Sequence, residues 1–215
     1  MSGWAWTAVD PVAMSDRPNL DPSDACFYYM TRDSRGFMAS RANDLMNDFK
    51  KDVRRYAGRP DVMAYKDAAI SECAGYVSEF FEDREGLFRG TPVSIVPIPT
   101  SVPRGAEMRD YRLDRLCEFV SERVPWVRFE PSLDIVAEMR PSHVGGTRDV
   151  DELERVFRLL SPIGAGEYGG WVVLFDDILT TGAHYAACRN IVRRAYPNSA
   201  SYSIVGLFLA LHTWV

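Results

Sequence analysis

VVLFDDILTTGAH, Val172–His184, runs from four apolar residues through two adjacent carboxylates and two more apolar residues into Thr-Thr-Gly. The apolar run reads as a buried strand and the segment from Ala183 onward as a helix. A strand-to-helix turn gathers loop amides at a helix N-terminus. With the hydroxyls of Thr180 and Thr181 beside them, and Gly182 allowing close backbone approach, the turn makes a cup for a phosphate dianion. Asp176 and Asp177 fall at the carboxyl edge of the sheet, where open α/β folds bind ligands. Ionised carboxylates only accept hydrogen bonds, so a ribose diol supplies the donors they lack, and a magnesium ion nearby offsets their repulsion. A 5-phosphorylated ribose satisfies both halves of the stretch. Taken singly, the acidic pair is a strand end and the threonines a helix cap; the combined string is more specific.

Outward from this stretch, apolar runs alternate with amphipathic segments: VSIVPIP (Val93–Pro99), Asp110–Val124, LDIVAEM (Leu133–Met139), Val150–Leu160, WVVLFDD (Trp171–Asp177), Ala183–Ala195 and YSIVGLFLAL (Tyr202–Leu211). Strand and helix in alternation predict a doubly wound α/β fold, a mainly parallel sheet with helices on both faces and right-handed crossovers. Upstream, Cys26–Arg32 reads as a first strand. Leu45, Met46, Phe49 and Val53 mark a helix over Arg41–Tyr56, and a second helix runs from Asp61 to Phe81, forming an N-terminal helical addition. Residues 1–23, rich in Pro, Asp and Ser, read as an extended arm. Residues 24–215 read as one domain, with strand and helices over 24–90 and the core over 91–215.

At 215 residues with 47% hydrophobic and 26% charged side chains, the composition is that of a soluble globular domain. A net charge of -5 offers no footprint for extended nucleic-acid binding. Cys26, Cys73, Cys117 and Cys188 lie far apart without a CxxC pair, so the sequence suggests neither a zinc ribbon nor a disulfide framework but reduced, buried thiols of a cytoplasmic protein. The N-terminus shows no signal peptide, and Ile204–Leu211 is too short to span a bilayer, so no membrane partner is expected. The GxGxxG spacing within IGAGEYGG (Ile163–Gly170) precedes a strand instead of following one and reads as a turn. WVVLFDD has the form of a Walker B strand, but the chain contains no GxxxxGK[ST].

The stretch resembles the phosphoribosyl-pyrophosphate (PRPP) signature of type I phosphoribosyltransferases. NDFKKD (Asn47–Asp52), IVPIPTSVPR (Ile95–Arg104), EMRDYRLDRL (Glu107–Leu116) and RPSHVGGTRDVDELERVF (Arg140–Phe157) are similar to the ComF-like branch of that family, without its zinc ribbon. The resemblance implies that Asp176 and Asp177 hold the ribose hydroxyls, with magnesium close by. It implies that Thr180, Thr181, Gly182, Ala183 and His184 cradle the 5-phosphate, and that Pro99, Thr100 and Ser101 with Arg104 meet pyrophosphate. His184 stands where the family usually has a second phosphate-binding threonine; a protonated imidazole at the helix N-terminus could replace that hydroxyl. Thr180 stands where hypoxanthine-type members carry an acidic base, which disfavours a 6-oxopurine acceptor.

In such a transfer the bond from C1 to pyrophosphate breaks early, so leaving-group stabilisation matters more than a strong base. Arg104, Arg109, Arg140 and Arg148 are the expected cations, with Arg140–Arg148 a basic loop, flexible at Gly145 and Gly146, that closes over the ligand. PRPP and a small-molecule acceptor are the implied partners, and a homodimer is a compatible assembly. Two readings stand: a phosphoribosyltransferase, or a non-catalytic sensor that binds PRPP or a nucleotide.

Overall fold

The computed structural model describes residues 4–88, 90–107, 109–139, 147–197 and 202–214. Among them a six-stranded sheet forms the centre. Its members are β1 (Thr7–Ala8), β2 (Ala25–Arg32), β3 (Val93–Pro97), β4 (Val127–Phe129), β7 (Gly170–Leu179) and β8 (Tyr202–His212), in the spatial order β1-β2-β8-β7-β3-β4. All neighbours pair in parallel except β1 with β2. Two short strands, β5 (Leu133–Ile135) and β6 (Phe157–Leu159), pair antiparallel outside this sheet.

Both faces of the sheet are covered, and β7 shows why its sequence is apolar without alternation. Val173 and Phe175 enter a core with Met46 and Phe49 of α2 (Arg41–Phe49), Val77 and Phe81 of α3 (Pro60–Glu82), Phe88 of α4 (Glu85–Phe88) and Leu116 of α5 (Arg112–Arg123). Val172 and Leu174 enter a second core with Leu153 of α6 (Val150–Val156), Ala165 of α7 (Gly164–Tyr168) and Cys188 of α8 (Ala183–Ala195). The doubly wound α/β architecture is therefore as expected. All four cysteines are buried and unbridged, and no helix among the described residues is long and apolar enough to cross a membrane.

Several local expectations are corrected. The segment Leu133–Met139 does not add to the parallel sheet; Val127–Phe129 takes that place, and β5 turns away to pair with β6. The helix expected over Val150–Leu160 ends at Val156, because Phe157–Leu159 is drawn into that hairpin. The helix expected to reach Tyr56 ends at Phe49. There the buried Lys66 ammonium donates to the carbonyls of Phe49 (3.1 Å) and Lys51 (2.7 Å), satisfying chain-end acceptors that a longer helix would have used. The N-terminal arm is not simply extended: it contains β1 and a short helix, α1 (Pro11–Ser15), whose N-cap Asp10 accepts from Ala13 N at 2.7 Å. The glycine-rich stretch is the one-turn helix α7, capped by Gly169 in a positive-φ conformation, which leads into β7 at Gly170. At Gly170 a Cβ would lie 2.1 Å from the Pro92 carbonyl oxygen, so the stretch serves close packing.

Candidate functional site

From β3 the chain passes through α5 to β4 on one side, and from β7 it passes through α8 to β8 on the other. Adjacent strands whose connections leave in opposite directions open a crevice at their carboxyl ends. A cleft of about 670 Å³ lies at this edge. Pro99, Thr100 and Ser101 line it from the loop after β3. Asp176, Asp177, Thr180, Thr181, Gly182, Ala183 and His184 line it from β7 and the start of α8. The structure thus brings together two segments about eighty residues apart in the chain.

The acidic pair is asymmetric. Asp177 is buried, and its Oδ1 accepts from Lys50 Nζ at 3.0 Å while its Oδ2 accepts from Arg112 Nε and Nη2 at 3.0 and 2.5 Å. Burial alone would raise the pKa of this carboxyl, but Lys50 and Arg112 outweigh it and hold it below the ordinary value. Asp176 has its pKa pushed up by burial and by the neighbouring Asp177 charge. Its Oδ1 accepts the Asp177 amide at 2.8 Å. Behind Arg112, Asp110 accepts from Arg112 Nη1 and from Lys66 Nζ, both at 2.8 Å. Three cations and two carboxylates therefore fix the floor of the cleft beside Asp176.

Gly182 caps α8 with φ +80°, a left-handed conformation that favours glycine. His184 lines the cleft with its ring edge-on to Phe157, centroids 5.7 Å apart. Burial lowers its pKa to about 4. The expected imidazolium is corrected: near pH 7 His184 is neutral, because burial outweighs the attraction of Asp177.

The four expected arginines separate. Arg148 lines the cleft and is exposed. Arg104 forms an ion pair with Asp114, and its backbone N–H donates to Asp134 at 2.8 Å. Arg109 is buried, donating to Asp134 Oδ1 at 2.8 Å and to the Val102 carbonyl at 2.9 Å. These two brace the loop after β3 from behind instead of facing the cleft. Arg140, with Pro141, His143, Gly145 and Gly146, lies outside the described residues; the flanking Glu138 and Arg148 both line the cleft. Sequence reasoning assigned no role to Lys50 or Arg112. The signal available was the acidic pair itself, since a buried carboxylate beside a second acidic group requires a cation partner.

Among the described residues no group of three or more His, Cys, Asp or Glu side chains could hold a metal ion. Both oxygens of Asp177 are engaged by cations. This donor set does not build a protein-only cage; it fits a magnesium ion that arrives on a ligand's phosphates and keeps most of its water.

No family model matches the chain, and no curated protein matches it. Two crystal structures of a hypoxanthine phosphoribosyltransferase from Staphylococcus aureus, in orthorhombic and tetragonal forms, align at 14% and 13% identity with TM-scores of 0.38 and 0.39. Each alignment covers 64% of this chain and 62% of the other, so the chain spans about three fifths of the length of the structures it matches. A likeness this slight carries no argument; the fold rests on its own topology.

Proposed function

We propose that the cleft binds PRPP and that the protein transfers the phosphoribosyl group to a nitrogenous acceptor, releasing pyrophosphate. The observation that carries this reading is the meeting, at one switch point, of the Thr180–His184 turn, the acidic pair and the Pro99–Ser101 loop. The turn would take the 5-phosphate on backbone amides and the two threonine hydroxyls. Asp176, beside the charge-saturated Asp177, would accept from the ribose hydroxyls. The Pro99–Ser101 loop would meet the diphosphate, and Arg148 at the rim, with Arg140 as an expected companion, would face its departing oxygens.

In the reaction the bond from C1 to the diphosphate oxygen breaks with its electron pair leaving on pyrophosphate. The acceptor nitrogen then bonds C1 and gives up a proton. A magnesium ion carried on the diphosphate, near Asp176, would neutralise leaving-group charge. The chain's own task is positioning and fixed positive charge, which act where charge develops. The similarity of the signature to the ComF-like branch accords with this reading.

A second reading, a non-catalytic sensor of PRPP or a nucleotide, is favoured by the neutral His184 and by the engagement of Arg104 and Arg109 away from the cleft. Incubating the protein with labelled PRPP, magnesium and a panel of nitrogenous bases tests both. Released pyrophosphate with a labelled product supports transfer. Thermal stabilisation by PRPP without turnover supports the sensor, and neither response would overturn both.

A further inference from the structure

We infer that Asn19, in the N-terminal arm, is a positioning residue that sets the peptide between Thr181 and Gly182 so that its N–H faces the cleft. This rests on the proposed reading of the Thr180–His184 turn as a phosphate cup.

The arm crosses the outside of that turn and is hooked down on both sides of it. Arg17 is buried and donates through Nη2 to the His212 carbonyl at the end of β8, at 2.6 Å. On the other side, buried Asp24 pairs with Arg189 of α8 and accepts the Asp21 amide at 2.8 Å. Between these hooks Asn19 donates twice to one acceptor, the Thr181 carbonyl: from Nδ2 at 3.1 Å and from its backbone N–H at 3.4 Å. The next residue, Leu20, lies so close that a Cβ on Gly182 would stand 2.8 Å from Leu20 Cδ2.

The peptide group is planar and trans, so its C=O and N–H point in opposite directions. With the Thr181 carbonyl held by the arm, the Gly182 N–H is turned away from the arm, toward the cleft that Gly182 lines. A glycine following a peptide gives that peptide freedom to rotate, because both signs of φ are open to it. Rotated, the same peptide would present its carbonyl to an anion and repel it. Asn19 selects the productive orientation before the ligand arrives, and such preorganisation raises affinity without touching the ligand.

The test is affinity of wild type, Asn19→Leu and Asn19→Ser for ribose 5-phosphate and for inorganic phosphate, with the Gly182 amide followed by NMR. Leu keeps the size and removes the side-chain donor; Ser keeps a shorter donor and is the second variant should the first fold poorly. The expected result is a loss of roughly tenfold in affinity for both probes in Asn19→Leu, less in Asn19→Ser. The phosphate-induced shift of the Gly182 amide, present in wild type, should shrink in the same order. Unchanged affinity in the variants, or weaker binding with the Gly182 response intact, would overturn the role of Asn19. Failure of wild type to bind either probe would instead overturn the phosphate cup.

Discussion

Arg112 meets Asp177 with two nitrogens on a single carboxylate oxygen, and this contact decides how the two adjacent aspartates differ. With Lys50 on the other oxygen, Asp177 is kept ionised, and its charge adds to desolvation in raising the pKa of Asp176. The crowding of like charge is therefore an arrangement of one permanent anion and one carboxyl whose ionisation is opposed.

Asp176→Asn and Asp177→Asn should shift stability in opposite directions. Removing Asp177 leaves Lys50 without its counter-charge and Arg112 with Asp110 alone, and should cost about 3 kcal/mol. Asp176→Asn should stabilise. Because the folded pKa of Asp176 lies above its unfolded value, its protonation favours the fold below the unfolded pKa, and that contribution is lost as pH rises through the folded pKa. Urea unfolding should find wild type and Asp176→Asn close at pH 4 and the variant ahead at pH 8. The reverse ordering would contradict the asymmetry.

Arg109→Ala and Arg148→Ala should separate structure from function. Arg109 is held by Asp134 with its side chain 1% exposed, so truncation should cost about 3 kcal/mol or more. Arg148 is exposed, and its truncation should leave stability within about 0.5 kcal/mol while lowering pyrophosphate release. Comparable destabilisation of both variants would deny the distinction.

His184 should show in the acid limb of the stability curve. Its folded pKa of about 4 lies below the ordinary histidine value of 6.5, so the unfolded chain binds the extra proton first. Stability from the neutral ring is complete above the unfolded pKa and is lost as pH falls toward 4. His184→Thr should flatten the melting temperature between pH 6.5 and 4 relative to wild type. An equal slope in both proteins would assign the acid limb to other groups.

Gly182→Ala should cost about 1–2 kcal/mol, since the left-handed backbone strains an alanine. Part of any further loss comes from Leu20, 2.8 Å from the added carbon, so Leu20→Ala should recover that part and no more. A double-mutant cycle by thermal unfolding measures it, and strict additivity would show that Leu20 does not press on this position.

The parallel core was legible because Val93–Pro97, Gly170–Leu179 and Tyr202–His212 are apolar on both faces, a pattern that long buried strands cannot hide. Val127–Phe129 was not: three residues with a central arginine show no periodicity, while the longer Leu133–Met139 run looked the better strand. The acidic pair and the phosphate turn are local in sequence and could be read directly. Arg109, Arg112 and Arg115 are spaced three apart, and only the starting point of α5 decides that Arg112 faces the cleft while Arg115 pairs with Asp67 on the surface. Asn19 lies 162 residues from Thr181, a pairing no local pattern announces.

The order of strands also sets an order of events during synthesis. β8, the last of the described strands in chain order, sits between β2 and β7. Until residues 202–212 leave the ribosome, β2 and β7 each present an open backbone edge to the cell, the template on which chains aggregate. The N-terminal arm has nothing to hook with Arg17 before His212 exists. β2, paired on one edge with the two residues of β1, therefore keeps its other edge open until β8 is made, and the Arg17 hook of the arm closes with it.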